Sequence, residues 1–406
     1  MNIVLINTVA EYGSTGKIVT ILKNGYASCG HRVVCYYGSR GENDKRDGFV
    51  KITQQREAYF SALAYRITGY QGLFLSRATA RLIRALEQQK PDVVHLMNIH
   101  GYYLDEFKLL RYLADKSVPV VYSMMDEYAY MGKCPFSYDC EKFKTECGTC
   151  PNKRTQYPVS WLFDRTKYYF RAKEKAYNAF SNITFVGTPW VIWRAKQSAL
   201  LKNRNLAIIN EPIDLDTYFY PKDVTALREE LGIPEENIVI LAIATLSSYN
   251  KGGVYFLHLF ERMKEKKGYS FVYVGYDTEK YGSYEGLIKI PYVSSLEKLS
   301  EYCSLADVLV STTMSDTIPN AAINALGSGT PVCGFDCGGL SFIGINDEEV
   351  VKLTPIYDID ALEKSVLKKH KKTPELVHKC RESVYDDYCP HTVVSQYIEL
   401  MKKIIK

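Results

Sequence analysis

The 406-residue sequence predicts an α/β protein built from two parallel-sheet domains, and three observations carry that reading. Short β-branched, almost wholly apolar runs recur through the chain, as strands covered on both faces require. Helical stretches separate them, which is the grammar of βαβ units. The length exceeds what one ordinary core organises, so two domains of about 150–200 residues each are expected.

The first half opens with a strand at 2–7, the turn Glu11-Tyr-Gly-Ser-Thr-Gly16 and a helix at 17–28. Further strands are read at 31–37, 92–96, 118–123 and 182–186. The second half repeats the pattern with strands at 238–244, 270–274, 308–311 and 331–335, and helices at 253–265, 296–303 and 321–327. The chain crosses over near 205–214, and a helix at 391–405 is expected to pack back on the first domain. The expected division is residues 1–205 with a cysteine-rich insert at 131–155, then residues 206–388, then a terminal helix at 389–406.

Composition narrows the function. With 46% hydrophobic and 24% charged residues the chain suits a globular protein with a sizeable core. Its net charge of +5 is spread among interleaved acids, which excludes a nucleic-acid footprint and suits an anionic small molecule or an acidic membrane surface. The 33 tyrosines point to polar clefts. Residues 1–9 lack a basic n-region and read as a strand, and no run of 18 apolar residues exists to span a bilayer. An odd total of eleven cysteines fits a reducing cytoplasm, the expected location.

Ligands of open parallel sheets bind beyond the carboxyl ends of the strands, so the loops after strands are searched first. Gly13-Ser14-Thr15-Gly16 lies in such a loop; it suits an anion at a helix N-terminus and also a plain tight turn. It is neither a Walker loop nor a Gly-x-Gly-x-x-Gly fingerprint. Lys251-Gly252-Gly253 can hold a diphosphate by charge and backbone amides, or be a capped turn with a solvated lysine. The stretch 315–332 is more specific: Asp316 and a helix start at Asn320-Ala321-Ala322 stand side by side, suited to sugar hydroxyls and phosphate respectively.

With these motifs in order, the sequence resembles the retaining family-4 glycosyltransferases of GT-B fold, two Rossmann-like domains with parallel sheets facing a cleft. The resemblance rests on Gly13–Lys17, Pro91–Tyr103, Thr188-Pro-Trp190, Ile209–Asp214, Lys251-Gly252 and Asp316–Val332, and points to the capsule and exopolysaccharide (colanic-acid-type) branch. It implies transfer of a sugar, with retention, from a UDP- or GDP-linked donor to a saccharide or lipid-linked acceptor. It further implies that Lys251 neutralises the leaving diphosphate, that Asp316 binds sugar hydroxyls, and that Asn320, Ala321 and Ala322 face sugar or phosphates. Gly13–Gly16 would contact the diphosphate. His100 is the candidate for acceptor contact, whereas His95 at a strand end reads as a hydrogen-bonded core residue. Three positions depart from the family pattern: Asn324 stands for a ribose-gripping glutamate, Asn250 for an arginine, and Met125 for a histidine before Asp126. They support an alternative, a glycosyltransferase-like binding or scaffold subunit; a nucleotide-sugar epimerase would need an acid/base pair that the sequence does not display.

Cys134-x5-Cys140-x6-Cys147-x2-Cys150 has the spacing of a closed tetrahedral zinc site. Structural zinc is the expectation; an iron–sulfur cluster, two disulfides or four reduced thiols stay open. Residues 59–86 mix aromatics and leucines with Arg66, Arg77, Arg81 and Arg84. Such a segment suits peripheral contact with the inner face of the cell membrane, and also helices packed on the first domain with arginines in solvent.

Overall fold

The computed structural model describes residues 1–11, 13–40, 47–246, 248–276, 284–344 and 347–405. Two compact units form: Met1–Pro212 with Val393–Lys406, and Ile213–Thr392.

In the first unit the chain runs β1 (Asn2–Val9), α1 (Gly13–Ser28), β2 (Arg32–Arg40), β3 (Phe49–Lys51), α2 (Gln55–Thr68), α3 (Ser76–Gln89), β4 (Val93–Leu96), α4 (Glu106–Asp115), β5 (Val120–Ser123), α5 (Thr166–Asn178), β6 (Ile183–Gly187), α6 (Pro189–Ala195) and β7 (Asn205–Ile208). The seven strands make one parallel sheet in the order β3-β2-β1-β4-β5-β6-β7. Val93–Leu96, Val120–Ser123 and Ile183–Gly187 are buried at every position, which is why they read as unbroken apolar runs.

The second unit follows with α7 (Thr225–Glu230), β8 (Ile238–Thr245), α8 (Gly253–Met263), β9 (Tyr269–Tyr276), β10 (Leu287–Ile290), α9 (Leu296–Leu305), β11 (Val308–Ser311), α10 (Asn320–Gly327), β12 (Val332–Phe335), β13 (Val351–Thr354), α11 (Ile359–Leu367) and α12 (Pro374–Tyr388). Its parallel sheet has the order β10-β9-β8-β11-β12-β13. Each sheet therefore reverses direction of growth once, at β1/β4 and at β8/β11. Those reversal points are where a doubly wound sheet offers a ligand its crevice.

The last helix, α13 (Pro390–Ile405), packs from Val393 onward on the first unit. Val393, Val394, Tyr397, Ile398 and Met401 enter the core that contains Ile3, Leu5, Val19 and Tyr26. Gly25 of α1 meets this helix so closely that a Cβ there would lie 2.4 Å from a Val394 methyl. Among the boundaries that differ from the sequence expectation, α1 starts at Gly13, so Gly13–Gly16 is the helix's own first turn and not a preceding loop. The reason is steric, since a Cβ on Gly16 would sit 2.8 Å from the Glu11 backbone nitrogen; without it the helix starts directly against the strand end.

Gly25→Val forces α1 and α13 apart and is expected to destabilise the first unit by about 1–3 kcal/mol, read as a lower midpoint in urea unfolding.

Candidate functional site

In the second unit the sequence-selected residues converge at the β8/β11 reversal. Lys251 follows β8 and Asp316 follows β11, and their side chains form an ion pair although 65 positions separate them. The backbone sets this pairing. Gly252 has φ +60°, and a Cβ on it would lie 1.8 Å from the Thr312 carbonyl oxygen. Thr312 in turn donates to the Gly252 carbonyl at 2.9 Å, and the Asn250 carbonyl accepts from the Met314 amide at 2.7 Å. From the other side the Gly339 amide donates to the Asp316 carbonyl at 2.9 Å, and a Cβ on Gly338 would come within 2.4 Å of that oxygen. The loop 312–318 is thus held between two glycine contacts, and Asp316 has little freedom of position. Asn320 opens α10 next to it, and its side-chain oxygen has no hydrogen-bond partner among the described residues. Ala321 and Ala322 follow in the same first turn, whereas Asn324 is nearly buried inside the helix.

In the first unit a second group gathers at the β1/β4 reversal. The Asn98 amide donates to the Asn7 side chain at 3.1 Å, and the Thr8 hydroxyl lies within hydrogen-bond reach of the Asn98 and His100 carbonyls. The end of β1 therefore shapes the loop that carries His100. His100 Nε2 lies 2.7 Å from Asp126 Oδ2, and the other carboxylate oxygen accepts from the Tyr128 amide at 2.9 Å. The Tyr128 ring packs on the imidazole with centroids 4.5 Å apart. Its hydroxyl donates to buried Glu106 at 2.5 Å. Burial, the leading influence on Glu106, pushes its carboxyl above the ordinary value. Buried Lys173 lies 3.2 Å from the Tyr128 ring centre and donates to the carbonyls of Tyr128, Met131 and Gly132. Burial lowers its pKa to about 8. Gly13, Ser14, Thr15 and Gly16 form the α1 N-terminal turn after β1, with Gly13 and Ser14 exposed.

Residues 237–370, which contain Lys251, Asp316 and α10, match the family described as glycosyl transferases group 1. The matched stretch lies within the second unit. The protein named as the colanic acid biosynthesis glycosyl transferase WcaC of Escherichia coli (strain K12) is 24% identical over 362 residues, 82% of each chain. Among solved structures, sucrose-phosphate synthase (tll1590) from Thermosynechococcus elongatus superposes with a TM-score of 0.70 at 14% identity, covering 100% of this chain and 99% of that one. Anabaena Alr3699/HepE in complex with UDP gives 0.69 at 13% identity over 99% and 100%. At such identities the likeness shows the fold, and the fold is GT-B.

The matched stretch does not include the cysteine insert, and the zinc expectation finds no support there. Among the described residues no three His, Cys, Asp or Glu side chains are placed to hold a metal ion. The Cys134 and Cys150 thiols hydrogen-bond to each other, while Cys147 accepts the Gly132 amide at 3.3 Å. The hydrogen bond from Cys134 draws Cys150 down to about 6, and burial pushes Cys147 up to about 11. All eleven cysteines are free.

His95 is fully buried within hydrogen-bond distance of Ser123 (2.7 Å) and Tyr26 (3.2 Å), a core residue as its sequence position suggests. Met125 joins the same apolar core. Sequence reasoning missed Asn7, Thr8, Glu106, Tyr128 and Lys173. The signal available for the first four was their place in or next to loops after strands, whereas Lys173 lies inside α5 and gave none.

Burial lowers the His95 pKa to about 3, so the native state keeps it neutral while the unfolded chain takes up a proton below about 6.5. Stability is therefore present above pH 6.5 and falls as the pH drops toward 3, by up to about 1.4 kcal/mol per pH unit from this group. Urea unfolding at pH 7 and pH 5 should show a smaller loss for His95→Gln than for the unaltered protein; equal losses would show that His95 titrates normally.

Proposed function

We propose that the protein is a retaining glycosyltransferase that moves a sugar from a nucleoside diphosphate donor to a saccharide or lipid-linked saccharide in cell-surface polysaccharide synthesis. The observation that carries this reading is the Lys251–Asp316 pair, fixed by glycine contacts beside the first turn of α10 inside the stretch that matches the group 1 glycosyltransferases. The names of similar proteins support it: WcaC for colanic acid, and Alr3699/HepE, solved with UDP and with UDP-glucose.

Lys251 is partly exposed, so its ammonium can turn from the Asp316 carboxylate to a diphosphate and stabilise the charge that develops as the glycosidic C–O bond breaks. Asp316 then accepts from donor-sugar hydroxyls. Asn320 offers its unsatisfied side-chain oxygen as an acceptor to a donor-sugar hydroxyl. In the first unit His100, oriented by Asp126, serves the acceptor hydroxyl, whose oxygen forms the new bond on the same face of the sugar. This pairing weighs against the binding-subunit alternative. Met125 cannot act as a histidine, but His100 supplies an imidazole to the neighbouring carboxylate.

Calorimetric titration with UDP, GDP and their sugar conjugates tests the reading. One nucleotide family should bind, Lys251→Ala should weaken it at least about tenfold, and Asp316→Asn should weaken sugar conjugates more than the bare diphosphate. His100→Ala should leave donor binding intact and reduce turnover about 10²–10⁴-fold. No binding of any nucleotide would leave the non-catalytic subunit as the better account.

A further inference from the structure

Helix α2 has its large apolar residues on the wrong side for a helix that merely covers a sheet. Its buried residues are Ser61 and Tyr65, while Tyr59, Phe60, Leu63 and Ile67 are exposed along one face, with Tyr59 at 66%. Beyond it, Phe74 holds φ +66° and is 70% exposed. The segment before α5 adds Trp161, Leu162 and Phe163, all exposed. These pieces adjoin: the Trp161 amide donates to the Arg66 carbonyl at 2.7 Å, and a Cβ on Gly69 would meet the Phe163 carbonyl at 2.9 Å. Monomeric surfaces rarely gather so much large apolar side chain in one place.

The charges around this face identify what covers it. Arg66 stacks over Trp161, Arg165 over Tyr70 and Phe163, Arg154 donates to the Trp161 carbonyl, and Lys153 donates to the Leu162 carbonyl. None of these four pairs with a carboxylate among the described residues. The nearest acid, Asp164, is occupied by the Cys150 amide and by Thr166. A second copy of the chain would set these cations against their own images, at a cost in repulsion. A sheet of anionic lipid headgroups satisfies them while the rings and leucines enter the acyl boundary. α3 takes no part through its apolar side, because Ala78, Leu82 and Leu86 are buried in the core. We infer that the face made by α2 and residues 161–163 docks on an anionic lipid bilayer. The inference stands apart from glycosyl transfer, since it rests on no residue of the Lys251–Asp316 loop cluster.

Co-sedimentation of the full chain with phosphatidylcholine vesicles, with and without phosphatidylglycerol, tests it. The protein should pellet with the anionic vesicles and lose most of that binding near 1 M salt. Leu162→Glu with Phe163→Glu, and independently Tyr59→Glu with Phe60→Glu, should each weaken binding at least about tenfold with little change in melting temperature, because the side chains are exposed. Arg66→Gln with Arg154→Gln should weaken it and flatten the salt dependence. Two results would overturn the inference: vesicle binding unchanged in both apolar pairs, or no vesicle binding alongside a dimer in sedimentation equilibrium that Leu162→Glu with Phe163→Glu dissolves.

Discussion

The ammonium of Lys173 sits where no water reaches, and the chain around it is arranged to replace that water. Three backbone carbonyls, at Tyr128, Met131 and Gly132, accept from it, and the Tyr128 ring lies against it. Removing a charge from water costs several kcal/mol unless such partners compensate. The compensation has a structural by-product: the turn from Asp126 to Gly132 is drawn onto α5 and cannot wander. Tyr128 is held by Lys173 on one side and Glu106 on the other, so the Asp126 carboxylate and the His100 ring stacked on Tyr128 acquire fixed places. The geometry of the first unit's loops thus descends from one buried cation.

The second unit reaches the same end without buried charge. There the instrument is close backbone approach, with Gly252 against Thr312 and Gly338 against Asp316. Side chains longer than hydrogen would push these loops apart, and the Lys251–Asp316 pair would lose its register. Both units place their polar groups at the one point where a doubly wound sheet parts its loops. Sheet order is therefore what brings distant residues together: 26 positions separate His100 from Asp126, and 65 separate Lys251 from Asp316.

That dependence explains what the sequence showed and what it hid. Buried strands such as Val93–Leu96 announce themselves because both faces are apolar, and the GT-B architecture follows from their alternation with helices. Lys251 stood out because two glycines follow it, and Asp316 because a helix start stands beside it in the sequence. The pairing of His100 with Asp126 was invisible, since it depends on β4 and β5 lying side by side, which no local pattern encodes. Lys173 read as an ordinary helix lysine because its burial is decided by α5 packing on the 128–132 turn. The four cysteines have the spacing of a metal knuckle, but the contacts they make, the Gly132 amide on Cys147 and Cys134 against Cys150, are decided by the packing of the insert and are invisible in that spacing. In residues 59–86, composition alone could not separate α2, with its apolar stripe outward, from α3, with its apolar stripe inward.

The return of α13 to the first unit has a consequence for how the protein is made. Residues 213–392 form a contiguous unit, but the first unit is assembled from two stretches with that whole unit inserted between them in sequence. Ribosomes deliver about 5–20 residues per second, so the groove beside Gly25 and Tyr26 waits on the order of 10–40 s for Val394 and Tyr397 to arrive. During that interval the half made first is the half left open, and the usual amino-to-carboxyl order of domain folding is inverted. The nascent chain carries its exposed core longest in its oldest segment, where a holding chaperone would have the most to bind.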